Sequence, residues 1–507
     1  MRQAKALSVA LVGMEGTIIE VEAAISAGLP STRLVGLPDK ALKEASDRCR
    51  AAMSTAGGGW PSASVTINLS PATLPKAGAH YDLSIVAAIA AAQGRVDPEA
   101  LVGLALFGEL GLDGRVRAVR GLLPALLNAR DKAVTKAVVP AAQLREASLL
   151  SGLTLFGVGD LAELFEVLAG GGGAAMPAAP VATPSTRPPL DLADVAGQDE
   201  AKWAMEVAAA GRHHLYLHGP PGVGKTLLAE RLTTILPDLS EPESLEVSGV
   251  HSLCGIDLDD GLVRRPPYAD PHHSASLASL VGGGARVAMP GAVSRAHRGV
   301  LFLDEAPEFP PRSMDALRVP LESGRVVLAR SEATAVYPAN FQLILAANPC
   351  PCGMAGTPGA NCRCAPMAVR RYASRVSGPI LDRIDIHQRL RPVRPELLAR
   401  DAVTETSAMV AERVIQARDR QRHRLARLGW STNAEVPGVV LRKQLPAPGG
   451  ADLLSRALAQ GQLSVRGVDK VLRLSWTIAD LAGAAAPTSD HLHTALAMRR
   501  GDQNGAA

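Results

Sequence analysis

The sequence predicts a multidomain α/β protein, and three observations carry that reading. The chain has 507 residues with 47% apolar and 20% charged side chains, enough to bury about three cores. A breaker-rich stretch from Gly170 to Pro189 has neither helical nor strand period, so it reads as a linker. Beyond it strands and helices alternate, the pattern of a parallel α/β sheet.

The first block, residues 1–168, mixes β-like runs (Ser8–Val12, Thr17–Val21, Ser64–Leu69, Ala137–Val139) with amphipathic stretches (Lys40–Ala52, Leu83–Ala92, Gly121–Ala129). That mixture predicts an α+β domain. Residues 169–189 form the linker and residues 190–393 the α/β core. Residues 394–507 become mainly helical, with helices expected over Glu396–Arg427, Gly450–Gln460 and Val465–Leu481.

Composition excludes several classes. The longest apolar runs fall well short of the ~18–20 residues of a membrane span, so no membrane partner is expected. Met1 to Ala10 shows no secretory pattern, which points to a cytoplasmic protein. A net charge of +4 names no partner by itself, and 3% aromatics argue against a strand-binding surface built on stacking.

His214–His218 is a short apolar strand leading into Gly219-Pro220-Pro221-Gly222-Val223-Gly224-Lys225-Thr226 and a helix over Leu227–Leu236. This is a phosphate-binding loop in its required strand–loop–helix context. Its backbone N–H groups and the helix N-terminus attract phosphate oxygens. Lys225 is expected to reach the β- and γ-phosphates of ATP, and Thr226 to place its hydroxyl on Mg²⁺.

The apolar strand Gly299–Leu303 ends in Asp304 and Glu305. Asp304 is expected to hold Mg²⁺ through water and Glu305 to activate the attacking water. A third strand from Phe341 ends at Asn348, which is expected beside Asp304 as a sensor of the γ-phosphate, with a turn-forming Asn before Pro349 as the alternative.

Four of six cysteines cluster as C-x-C-x₉-C-x-C: Cys350, Cys352, Cys362 and Cys364. Four thiolates suit a closed structural Zn²⁺ site, and free cytosolic thiols are the alternative. About seventy residues separate Thr226 from Val300, more than a minimal crossover needs. They include Arg264, Arg265, the adjacent His272 and His273, and a tip at Gly282–Gly284. Neighbouring histidines on a strand face opposite ways, against a His–His metal pair. Arg325–Arg330 and Ala333–Tyr337 read as a β-hairpin. Arg418, Arg420, Arg422, Arg424 and Arg427 surround much of one helix, a solvated packing surface by default and a phosphate-contacting one as the alternative.

These motifs, with Ser377–Asp385, together resemble an AAA+ ATPase of the magnesium-chelatase/MCM-like branch. The segments Asp194–Gln198, Pro271–Ser276 and Asn348–Gly353 resemble the ComM/YifB family of magnesium-chelatase-like proteins, over nearly the whole chain. The resemblance implies a homo-oligomeric ring, a hexamer, with a C-terminal helical lid. It implies that Arg383 is the finger reaching a neighbour's ATP, with Arg375 as the alternative. Arg466 would be the second sensor, with Arg473 as the alternative. The inserts would project into the ring pore.

Asn68–Leu83 and Gly108–Leu123 resemble the Lon-protease-like (ribosomal S5 domain 2-like) fold, whose Ser–Lys dyad is absent here. His80 stands where the Ser would be and Leu123 where the Lys would be, so a scaffold or DNA-adaptor module is implied, with a new His80–Asp82 catalytic pair as the alternative. The implied activity is branch migration and unwinding of DNA junctions in homologous recombination and natural transformation, alongside recombination proteins. True magnesium-chelatase subunits, expected to share only the central and lid regions, are the first alternative. A protein-remodelling chaperone and a protease are the others.

Overall fold

The computed structural model describes residues 2–36, 44–74, 76, 78–172, 190–258, 260–284, 288–330, 333–356, 361–393 and 404–501. In the first block, β1 (Arg2–Val12) and β2 (Glu15–Ser26) form a long antiparallel hairpin. Then follow β3 (Ser31–Val35), α1 (Ala45–Thr55), β4 (Ser64–Ser70), α2 (Asp82–Ala92) and β5 (Leu104–Leu106). The block ends with α3 (Leu122–Asp131), β6 (Lys136–Pro140), β7 (Thr154–Val158) and α4 (Leu161–Leu168).

Seven strands make one mixed sheet in the order β3-β4-β2-β1-β5-β6-β7. Every residue of α2 is buried, so this helix needs apolar neighbours all round. The strands reach further than the apolar runs predict, and the sequence pattern misses β3, β5 and β7.

After the linker, α5 (Asp199–Gly211) leads to β8 (Leu215–His218), α6 (Lys225–Leu232) and α7 (Glu241–Cys254). The sheet continues with β9 (Tyr268–Ala269), β10 (Val300–Leu303), β13 (Gln342–Ala347) and β14 (Ile386–Arg389). Its order is β9-β10-β13-β8-β14, all parallel. The hairpin β11 (Arg325–Ala329) and β12 (Thr334–Pro338) stands outside this sheet. Helix α6 stops at Leu232 and continues as a 3₁₀ turn over Thr233–Ile235, a tightening common at helix ends.

The C-terminal part is built on α8 (Ser407–Leu425), α9 (Val465–Leu481) and α10 (Ser489–Arg500). Helix α8 starts eleven residues after the expected Glu396, capped by the Thr406 hydroxyl accepting from Met409 N–H; residues 394–403 lie outside the described set. Its buried stripe is Val410, Val414, Ala417, Gln421 and Leu425, spaced by three or four residues. Arg418 and Arg420 donate to the carbonyls of Ala209 and Asp480, and Arg424 pairs with Asp480 over the Trp476 ring. These three arginines therefore join helices of one chain, while Arg422 pairs with Asp419 at the surface.

The first block docks on the core through α3 and α7. Gly121 N–H donates to the Ser252 carbonyl, and the Ser252 hydroxyl donates to buried Glu146 at 2.5 Å. Leu253, Ala288, Ala335 and Tyr337 form a small shared core with Leu11, Val12 and Met14. Among the described residues, no helix is long and apolar enough to cross a membrane.

Candidate functional site at the sheet edge

Parallel strands end together, and their register sets the site. Leu303 lies opposite Leu345, and Leu217 opposite Ala346. Gly219, Asp304 and Asn348, each just past a strand end, therefore meet at one carboxyl edge, where open α/β sheets bind ligands.

The loop Gly219–Thr226 turns through Gly224, whose φ of +92° lies in the left-handed region and which caps α6. The Lys225 ammonium is nearly enclosed and donates to the carbonyls of Gly219 (2.8 Å) and Pro220 (2.9 Å) and to Asn348 Oδ1 (3.0 Å). Burial lowers its pKa, opposed by the nearby carboxylates of Asp304 and Glu305. The Thr226 hydroxyl donates to Asp304 Oδ2 at 2.9 Å, and Glu305 N–H donates to Asp304 Oδ1 at 2.8 Å. A hydroxyl and a carboxylate this close form an oxygen donor pair of the kind Mg²⁺ prefers.

Two partners of this edge escape sequence reasoning. Glu305 is left-handed, with φ of +49°, and its Oε2 lies 3.2 Å from Nδ1 of His273. The His272–His273 pair thus splits: His272 bonds the Ser274 hydroxyl, and His273 bonds Glu305. Gln198 donates to the carbonyls of Val223 (3.1 Å) and Arg391 (2.8 Å), bracing the loop against the end of β14. A polar side chain close before α5 was a signal, but its partners are remote in sequence.

Arg383 and Arg466 come together elsewhere. Arg383 donates to Glu322 at 2.5 Å, and Arg466 lies 3.7 Å from the same carboxylate oxygen. Asp385, two residues on from Arg383, pairs with Lys470 at 2.6 Å. Both arginines line a cleft of about 990 Å³ with Arg212, Arg298, Lys470 and Arg473, and no phosphate-loop residue lines it. Arg473 donates to the Val436 carbonyl, and Arg375 pairs with Glu308 at 2.8 Å, just beyond Asp304–Glu305.

The four cysteine Sγ atoms all lie within 4.8 Å of one another. In the insert, Gly282–Gly283 pairs with Met289–Pro290, and Arg330 of the β11–β12 hairpin holds the Gly284 carbonyl at 2.9 Å.

In the first block, His80 bonds the Val9 carbonyl at 2.9 Å, and Leu123 is buried. Asp82 accepts from Arg48 Nε at 2.9 Å and from Leu110 N–H at 3.0 Å. Burial pushes its pKa up to about 6, even with Arg48 against it.

Comparisons with known proteins agree with this architecture. The family described as "Magnesium chelatase, subunit ChlI" matches residues 191–398, and its C-terminal counterpart matches residues 404–499. The family described as "Subunit ChlI of Mg-chelatase" matches residues 21–143. An uncharacterized protein of Mycobacterium tuberculosis is 49% identical, covering 99% of both chains. Competence protein ComM of Haemophilus influenzae is 38% identical, covering 97% of this chain and 96% of its own. YifB of Escherichia coli is 40% identical with the same coverage. With its sheet edge built as described and relatives aligned from end to end, the chain belongs to the ComM/YifB family of magnesium-chelatase-like, AAA-type ATPases.

Proposed function

We propose that this protein is a Mg²⁺-dependent, ring-forming ATPase that drives branch migration and unwinding of DNA junctions. The observation that carries the ATPase half is the pair of bonds Lys225–Asn348 and Thr226–Asp304 at one sheet edge. The ammonium's acceptors there are loop carbonyls and an amide, which phosphate oxygens outcompete through charge-assisted bonding. Lys225 and the loop N–H groups then hold the β- and γ-phosphates. Thr226 and Asp304 would hold Mg²⁺, which would supply positive charge to offset the negative charge developing on the transferred phosphoryl group. Asn348 orients the γ-phosphate, and Glu305 takes the proton of the attacking water.

Arg383 and Arg466 converge on Glu322 away from the phosphate loop, which supports a trans role for both. Each would stabilise charge on a neighbour's ATP, and that requirement favours a closed ring, a hexamer, of identical chains. The first block is read as a Lon-protease-like scaffold, since His80 and Leu123 replace the dyad and both serve packing or backbone bonding. Cys350, Cys352, Cys362 and Cys364 form a structural Zn²⁺ site.

The DNA half rests on the end-to-end similarity to a protein named for competence. The Gly282–Gly284 tip and the β11–β12 hairpin carrying Arg325 and Arg330 are the surfaces assigned to the DNA-lined pore. The test is ATP-dependent dissociation of a labelled synthetic four-way junction, run at low salt. Dissociation into two duplexes is the expected result. Steady ATP turnover with an intact junction would overturn the DNA reading. Stimulation of turnover by unfolded protein, or by a porphyrin with its partner subunits, would then favour the chaperone or chelatase reading.

A further inference from the structure

We propose that a zinc ion held by Cys350, Cys352, Cys362 and Cys364 is a positioning brace for the ATP site, setting Asn348 and the phosphate loop. This rests on the ATPase reading above and extends its zinc assignment from fold to turnover. The sulfur geometry comes first. Cys350 Sγ lies 3.4 Å from Cys352 Sγ and 3.8 Å from Cys362 Sγ, and the latter two are 3.6 Å apart. A disulfide requires about 2.0 Å. Tetrahedral thiolates at Zn–S of about 2.3 Å sit about 3.8 Å apart, close to these three spacings, and Cys364 Sγ lies within 4.8 Å of the others. Ala355 N–H donates to Cys350 Sγ at 3.3 Å, the backbone support that metal-bound thiolates typically receive.

Position then gives the cluster its consequence. Cys350 is buried and follows Asn348 by two residues, directly off the end of β13. Its turn passes through Gly353, at φ of +79°, against the phosphate loop: a Cβ there would lie 2.6 Å from Cδ of Pro221. Arg389, at the end of β14, donates to the Gly356 carbonyl at 3.3 Å. The knuckle thus touches the sensor strand, the phosphate loop and the last strand of the sheet at once. Four bonds to one ion remove the freedom of a turn that otherwise holds Asn348 by a single peptide link on that side. Asn348 Oδ1 stays within 3.0 Å of Lys225 Nζ only while that turn is fixed.

The experiment uses the full-length protein. Zinc is counted by elemental mass spectrometry, then stripped with a zinc-selective chelator and restored. ATP turnover and fluorescent-ATP binding are measured at each stage in excess Mg²⁺, with thermal melting in parallel. One zinc per chain is expected, and stripping should lower kcat about tenfold or more, reversibly, with a smaller change in ATP affinity. Gly353→Ala keeps all four thiols, so it should retain zinc while losing several-fold in kcat. Zinc-free protein with unchanged kcat would overturn the brace, as would protein that never carries zinc. Protein that holds zinc but binds no ATP would instead overturn the ATPase reading.

Discussion

The front block and the core sheet edge hold the same kinds of side chain in opposite circumstances. Lys76 is fully buried and donates to the Pro71 carbonyl, and Asp82 is enclosed by Arg48 and the Leu110 N–H. His80 bonds the Val9 carbonyl in the sheet beside it. At the core edge Lys225 also bonds carbonyls, but they belong to the loop that a phosphate would enter. Glu305 and its partner His273 are roughly half and one-third exposed. Chemistry needs polar groups whose present partners a ligand can replace. The front block's groups are held where replacement would unfold the domain.

Substitutions can break that contrast, beginning with the largest effect. Lys225→Ala should lower ATP turnover by about 10²–10³-fold, the scale of losing one preorganised charge, with melting within ~2 °C of wild type. Turnover within tenfold of wild type would mean that ATP is not held at this edge. Asp82→Ala should do the reverse, costing about 3–5 kcal/mol by removing the enclosed carboxylate that accepts from Arg48 and from the Leu110 N–H. The KM for ATP should stay within about twofold; chemical denaturation and steady-state kinetics on the same preparation check both halves.

The contrast also runs inside the core, between its edge and its floor. His213 is buried and His214 and His387 are half-buried, and desolvation lowers each pKa from 6.5 to about 4. Leu343 N–H donates to His214 Nδ1, and Arg499 donates to His387 Nε2, so those nitrogens must be unprotonated. The unfolded chain binds these protons first as pH falls. Stability is therefore complete above about pH 6.5 and declines toward pH 4, by about 3 kcal/mol from His213 alone. A urea midpoint that stays flat across that window would contradict the assignment.

The smallest effect concerns His273. An exposed pair of this kind is worth about 0.5–1 kcal/mol, so His273→Ala should free Glu305 and raise basal turnover about two- to fivefold. The KM for ATP should not move, and a rise in KM without a rise in kcat would mean that His273 supports the loop instead.

What the sequence conveys follows from how local each signal is. The phosphate loop, the Asp304 strand and the Asn348 strand each combine an apolar run with a fixed polar terminus, so a short window suffices. The hairpin over Arg325–Ala329 and Thr334–Pro338 is equally local. Strand β3 alternates exposed and half-buried residues at the sheet margin, and β5 is only three residues long; neither carries a strong period. Helix α2 forms over the expected run Leu83–Ala92, but it is buried on every side and so lacks the polar face of the amphipathic helix expected there. Long-range partners leave no mark at all. Glu322 joins Arg383 to Arg466, and His273 meets Glu305, through contacts that only the fold creates.

We propose that Glu305 separates holding ATP from cleaving it. Radiolabelled ATP, binding and hydrolysis measured on one preparation of Glu305→Gln protein, tests this most directly. Wild-type affinity for Mg²⁺–ATP with hydrolysis reduced about 10²-fold or more is the expected result. Hydrolysis at the wild-type rate would contradict it and move the catalytic base elsewhere.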